Sequence, residues 1–333
     1  MENYKVLQLQ PNHADHISYY KEKYLDDMFT REMVIAQPKY DGERMLIHIN
    51  NGEVYCTSRR YSKKTSRFME NQDKLPILQE VFKDFDLDYT VLDCECYSKD
   101  WSTIVGILHS LPERAIELSK INIPHFAVFD CIWYNGQDMR DSYYGDRLKL
   151  AAEVVEKVNY EPLHMVASMN DDPKIGWNVQ QNWKRFSFIT SKQDWQTAMQ
   201  KALDAGFEGI VVKSLARKYY DKGASLKCKK FETVDCVVYD YQQGTGKYAD
   251  TVGALKIGYY DPDTDSIIGI SKVNCSTDEE RNRWRDEWET RKNSVIEVKC
   301  QEITERSLRH PVYIRRREDK DKTMCTKETI FKE

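Results

Sequence analysis

The chain of 333 residues contains no C-x-x-C pair. Its nine cysteines stand singly or as Cys94-x-Cys96. Neither a zinc ribbon nor a disulfide framework is indicated, and reduced thiols in a cytosol, bacterial or of a phage-infected host, are expected. No apolar run approaches the roughly 20 residues that span a bilayer. The first residues, "MENYKVLQLQPNHADHISYY", lack the basic end and apolar stretch of a signal peptide. An excess of one charge is also missing: 50 basic residues face 54 acidic ones, for a net charge of −4. That balance argues against a general polyanion binder, but not against an enzyme with a local basic face. There is no internal repeat and no low-complexity tract. "GTGK" at 244–247 lacks the rest of G-x-x-x-x-G-K-[ST] and no helix follows it, so it reads as a hairpin turn.

The length suits two domains. "EMVIAQPK" reads as a short strand. "RMLIHINNGEVYCTSR" alternates around Asn51-Gly52, a type I′ hairpin signal. "YTVLDCECYS" and "IPHFAVFDCIWYNG" predict two further strands. "GDRLKLAAEVVEKV" predicts a helix burying Leu148, Ala151, Ala152 and Val155. "SKQDWQTAMQKALDAG" predicts another, with Ser191 as N-cap and Gly206 just past its end. "EGIVVKS" and "SLKCKKF" follow as strands. Near residue 232 the character changes to strands joined by Gly-rich and Asp-rich turns. These surround one charged helix with capping-box spacing at Thr277 and Glu280. A small all-β unit with one helix suits an OB barrel. The expected domains are therefore 1–231 and 232–333.

The chemistry is carried by an ordered series. It runs from Lys39-Tyr-Asp41-Gly42-Glu-Arg44 through Ser58-Arg59, Leu92-Asp-Cys-Glu95 and Val128-Phe129-Asp130. Glu208-Gly209-Ile-Val-Val-Lys213, Lys227-Cys-Lys229 and Arg317-Glu-Asp319-Lys320 complete it. Any one of these is a weak signal. Alone, Lys39 reads as a surface lysine at a strand end, Asp41-Gly42 as a turn, Phe129 as core and the lysine pairs as solvated faces. Seven in order, from about residue 32 to 320, resemble the covalent nucleotidyltransferases. Within them the series is most similar to the compact, phage-type ATP-dependent DNA ligases.

The resemblance implies an α+β fold: an adenylation (nucleotidyltransferase) domain with antiparallel sheets and flanking helices, followed by an OB-fold β-barrel. A lysine attacks phosphorus only as the free amine, and its ordinary pKa is about 10.4, so burial or nearby cations must lower it. Arg44, Arg59, Lys227 and Lys229 are the cations available. By resemblance, Lys39 takes AMP from ATP, Asp41 orients its loop, and Gly42 allows close approach. Arg44 and Arg59 reach sugar and phosphate, and Glu95 accepts a ribose hydroxyl. Cys94 stands where the family typically has glycine. Phe129 stacks on adenine, Gln37 lies near the base and Val211 forms the opposite wall. Lys213, Lys227 and Lys229 contact phosphates, and Glu208 holds Mg²⁺ or Mn²⁺. Arg317, Asp319 and Lys320 orient the leaving pyrophosphate from the second domain, which closes over ATP.

The implied partner is nicked double-stranded DNA, bound by a monomer with no membrane involved. It is expected against the arm "SRRYSKKTSR" at 58–67, through Arg59, Arg60, Lys63 and Lys64. No separate DNA-binding domain fits the first 30 residues, so encirclement is expected from the two domains and their loops, or is incomplete. Two other enzyme readings share the lysine chemistry, an RNA ligase and a GTP-dependent capping guanylyltransferase. A nonenzymatic OB-type binder is the remaining reading, and the presence of Lys39 and Glu208 opposes it.

Overall fold

The computed structural model describes residues 9–17, 22–166, 189–275 and 277–331. The chain divides into two compact units, Met1–Cys228 and Lys229–Glu333. Among the described residues no helix is long and apolar enough to cross a membrane. All nine cysteines are buried and free.

The first unit contains strands β1 (Asp15–His16), β2 (Val34–Pro38), β3 (Glu43–Asn50), β4 (Glu53–Ser62), β5 (Arg67–Glu70) and β6 (Thr90–Tyr97). Then come β7 (His125–Tyr134), β8 (Gln137–Asp138), β9 (Leu163–Met165), β10 (Gly209–Ser214) and β11 (Ser225–Lys229), whose last residue begins the second unit. They form two sheets, one in the order β1-β11-β10-β2 and one in the order β5-β4-β3-β6-β7-β8, with β9 beside β7. The β3–β4 turn is set by Asn51 and Gly52, both at positive φ (47° and 82°), as a type I′ turn requires.

Alternation sorts the strand residues by face. Met45, Ile47, Leu92, Cys94 and Cys96 enter one core with Phe82 and Ile107, while Leu46 and Val91 enter another with Leu9, Ile132 and Tyr219. Leu148, Ala151 and Ala152 of helix Tyr144–Val158 join the first core, and Val155 packs at its margin. The smaller sheet buries Val34, Ala36, Ile210 and Val212 against Met28 and Phe29 of helix Glu22–Arg31. Ala198 and Ala202 of helix Lys192–Asp204 complete that core. Ser191 caps the latter helix through the Asp194 amide, and Gly206 follows its end at φ 84°.

The second unit holds β12 (Glu232–Gln243), β13 (Val252–Asp261), β14 (Ser266–Val273), β15 (Val295–Cys300), β16 (Glu302–Ile303), β17 (Leu308–Arg309) and β18 (Val312–Arg317). Five of these form an antiparallel sheet in the order β14-β13-β12-β15-β18. The "GTGK" stretch lies in the β12–β13 connection, where a Cβ on Gly244 would fall 2.0 Å from the Tyr248 carbonyl oxygen. The charged segment forms two helices rather than one. Asp278–Asp286, capped by Thr277, stops at the non-helical Glu287, and Trp288–Arg291 follows. Trp284 anchors the first of them in the β-sheet core.

Candidate active site

Register assembles the site. Antiparallel pairing of β2 with β10 sets Pro38 opposite Ile210. One step further, the Lys39 amide donates to the Gly209 carbonyl at 2.9 Å and the Glu208 amide to the Lys39 carbonyl at 3.2 Å. Residues 169 apart in sequence thus meet, and Lys39 Nζ lies 2.5 Å from Glu208 Oε2, both side chains partly buried. Tyr40, the next residue, packs against Tyr97 and Phe207 with ring centroids 4.7 and 5.1 Å away. That packing anchors the loop carrying the lysine. Gly42 is dictated by a strand neighbour: a Cβ there would sit 2.2 Å from the Cys96 carbonyl oxygen. Asp41 is exposed.

The pairing of β3 with β6 sets Arg44 opposite Glu95. The Arg44 guanidinium donates twice to Asp93, at 2.8 and 2.5 Å, and also to the Tyr219 hydroxyl and the Asn12 carbonyl. Cys94 points into the core between Asp93 and Glu95, filling space that a glycine would leave open. Burial pushes the Glu95 carboxyl up to about 7, against the pull of Lys39 and Arg44, with Asp93 and Glu208 adding to the rise.

A buried polar cluster lies beside it. Gln37 donates to the Tyr144 hydroxyl at 3.1 Å, and that hydroxyl donates to the Phe129 carbonyl at 2.7 Å. Lys213 Nζ stands 4.4 Å from the centre of the Phe129 ring and 4.5 Å from that of Tyr144. Burial pushes the Lys213 ammonium down to about 7. Asp130 and Asp93 oppose this, and Arg44 and Arg147 reinforce it. Val211, directly opposite Gln37 in the ladder, is partly buried.

Residues 18–230 match the family described as ATP dependent DNA ligase domain. The chain belongs to that family. Among curated ligase relatives, DNA ligase 2 of Methanosarcina acetivorans is 26% identical over 316 residues, covering 85% of this chain and 51% of the relative. DNA ligase 2 of Korarchaeum cryptofilum is 28% identical over 268 residues, covering 75% and 41%. The chain thus spans about half the length of the curated relatives it matches. Its fold is similar to a solved structure titled "Pmar-Lig_PreS3", with a TM-score of 0.68, 16% identity, and coverage of 91% of this chain and 66% of that one. It is similar as well to a structure from a study of Lig E DNA ligases, with a TM-score of 0.63, 14% identity, and coverage of 93% and 100%.

The remaining expected site residues of this ligase-family chain fall in three places. On β11, Lys227 and Lys229 alternate with the buried Leu226 and Cys228 and so share a strand face. Arg59, Arg60, Lys63 and Lys64 are exposed on the β4–β5 hairpin. Past Ser58 that hairpin has β5 as its only ladder partner among the described pairs. In the second unit, Arg317 makes a two-pronged contact with Asp319 at 2.8 and 2.7 Å. Arg317 and Lys320 both reach Asp235, at 3.2 and 2.5 Å. The pair with Arg317 holds the exposed Asp319 carboxyl well below its ordinary pKa.

Sequence reasoning missed Asp235, Tyr219, Asp130 as a structural acid, and Arg147. Asp235 follows the domain break with no motif around it. The others are joined only by the fold.

Proposed function

We propose that this chain is an ATP-dependent DNA ligase that seals 3′-hydroxyl/5′-phosphate nicks in duplex DNA. The observation that carries the reading is the placement of Lys39 Nζ against Glu208 at the seam of β2 and β10, inside a family-matched segment. Lys39 Nζ attacks the α-phosphorus of ATP. A P–N bond forms, the bond to the pyrophosphate oxygen breaks, and the amine gives up its proton. AMP then passes from Lys39 to the 5′-phosphate of the nick. Finally the 3′-hydroxyl attacks that phosphorus and AMP leaves.

The other roles divide by chemistry. Phe129 stacks on adenine, which requires one face of its ring to be given up by Lys213 or Arg44, now 4.4 and 5.1 Å from its centre. Gln37 and Val211 flank the base. Glu95 and Arg44 take the ribose, and Asp41 steadies the loop. Lys213, Lys227 and Lys229 take phosphate oxygens. Arg317, Asp319 and Lys320 align the pyrophosphate from a second domain of OB type, with 1–231 and 232–333 as the working domains. Glu208 and Glu95, with Glu208 close enough to raise the protonation of Glu95, are a donor set that suits a hard cation shared with phosphate oxygens. Mg²⁺ or Mn²⁺ held there would supply charge neutralisation at the α-phosphate. Arg59, Arg60, Lys63 and Lys64 take the DNA backbone, and the enzyme works as a monomer in the cytosol.

The test is sealing of a singly nicked duplex with Mg²⁺ and ATP, GTP or NAD in parallel. Sealing with ATP alone is expected. Covalent labelling by ATP or GTP without DNA sealing would replace this reading with an RNA ligase or a capping enzyme.

A further inference from the structure

The segment from Leu9 to His16 has no part in the motif series, yet it is pinned to the site on both sides of a two-residue stretch. Leu9 is buried beside Leu46 and Tyr219. The Gln10 carbonyl accepts from Tyr220 at 3.0 Å. The Asn12 amide donates to the Tyr219 hydroxyl at 3.0 Å, its side chain donates to the Tyr219 carbonyl, and its own carbonyl accepts from Arg44. Three residues on, Asp15 and His16 pair in parallel with Leu226 and Lys227 of β11. Between these anchors lie His13 and Ala14, and His13 is exposed.

We propose that His13 is a phosphate-binding residue of this site, presented by the pinned strap between Arg44, Arg59 and Lys227. The inference rests on the ligase reading and deepens it. Three cations from three separate strands act on this one imidazole: Arg59 of β4, Arg44 of β3 and Lys227 of β11. With partial burial as the leading cause, they lower its pKa below the ordinary histidine value. Asp93 and Tyr219 stand behind Arg44, and Asp15 lies on the strap itself.

The charge logic has a definite sign. Partly desolvated and within reach of these cations, His13 stays neutral near neutral pH. A phosphate group arriving among the same cations reverses the local field and favours the imidazolium. The ring then takes one proton from solvent and donates a charge-assisted hydrogen bond to a phosphate oxygen. No bond to phosphorus is made or broken by His13. The phosphate is either that of ATP or the 5′-phosphate of the nick, and the two are separable by experiment.

The test follows the His13 ring C–H resonance by NMR against pH, in the full chain carrying Lys39→Ala so that ATP is not consumed. His13→Gln in the same background assigns the resonance. The titration is run alone, with ATP, with a nicked duplex bearing a 5′-phosphate, and with one bearing a 5′-hydroxyl. We expect the midpoint to rise by about one unit with ATP or with the 5′-phosphate nick, and to stay unmoved by the 5′-hydroxyl nick. Affinity for the effective ligand should then fall up to about tenfold more steeply between pH 6 and 8 in the Lys39→Ala chain than when His13→Gln is added. A midpoint unmoved by every ligand, or one moved equally by the 5′-hydroxyl nick, overturns the proposal. Labelling of the unsubstituted chain by ATP, measured alongside, separates the two failures. If labelling persists, only the His13 inference falls.

Discussion

Asp130 carries the heaviest structural demand next to the site. Its two oxygens accept from Arg147 Nε at 2.8 Å and from the Arg147 terminal nitrogen at 3.0 Å. The two side chains are only 4% and 2% exposed. Arg147 also donates to the Ser142 carbonyl at 2.6 Å and lies over the rings of Tyr144 and Tyr219. Asp130→Ala removes one partner and leaves a buried guanidinium uncompensated, a change that costs about 3–5 kcal/mol. For a unit of this size that is a fall in Tm of roughly 6–20 °C. Adding Arg147→Met should recover most of the loss, because a buried ion pair exchanged for apolar volume is close to neutral. Urea unfolding of the parent, the single and the double variants measures both values. A second effect follows, because Asp130 is the strongest influence holding the Lys213 ammonium up against burial. Without it, Lys213 should titrate below about 7. A single-variant loss under about 1 kcal/mol, or a double variant no better than the single, would refute the reasoning.

Gly42→Ala should destabilise the chain by about 1–3 kcal/mol and slow labelling by ATP, since the new Cβ meets backbone at Cys96 rather than a yielding side chain; urea midpoints and labelling rates check this. Glu95 titrates in the fold at about 7, above its ordinary 4.5, so its stabilising contribution is complete below pH 4.5 and lost as pH rises through 7. Glu95→Gln should flatten that decline in stability across pH 4.5–7, and an unchanged profile would sink the assignment. Asp319→Ala or Lys320→Ala should impair adenylation more than sealing of a pre-adenylated nick, and equal loss in both steps would remove the leaving-group role.

Short-range signals found much of the architecture. Asn51-Gly52, the Ser191 and Thr277 caps and the strands around Lys39, Glu95 and Phe129 all depend on local backbone preference and burial, which adjacent residues encode. The helices Pro76–Phe82, Trp101–Leu108 and Pro112–Ile121 were not anticipated. Two of them are only 7 and 8 residues long, too short for a clear 3.6-residue period. The break at Glu287 was hidden because the capping box announces where a helix starts, not where it stops. In the site, Lys39 and Glu208 were legible as motif residues, but their contact is a product of register. The commitment of Arg44 to Asp93, Tyr219 and Asn12 could not be read from Arg44's own neighbours, because the partners lie 49, 175 and 32 residues away. The same applies to Asp235, which gathers Arg317 and Lys320 from 82 and 85 residues along the chain.

The most direct test of the central claim is mass analysis of the protein after incubation with ATP and Mg²⁺, followed by peptide mapping. The account predicts one added AMP, on the peptide containing Lys39, absent from Lys39→Ala, which should still seal a pre-adenylated nick at some rate. An adduct on another residue, or a Lys39→Ala protein that still becomes adenylated, would contradict it.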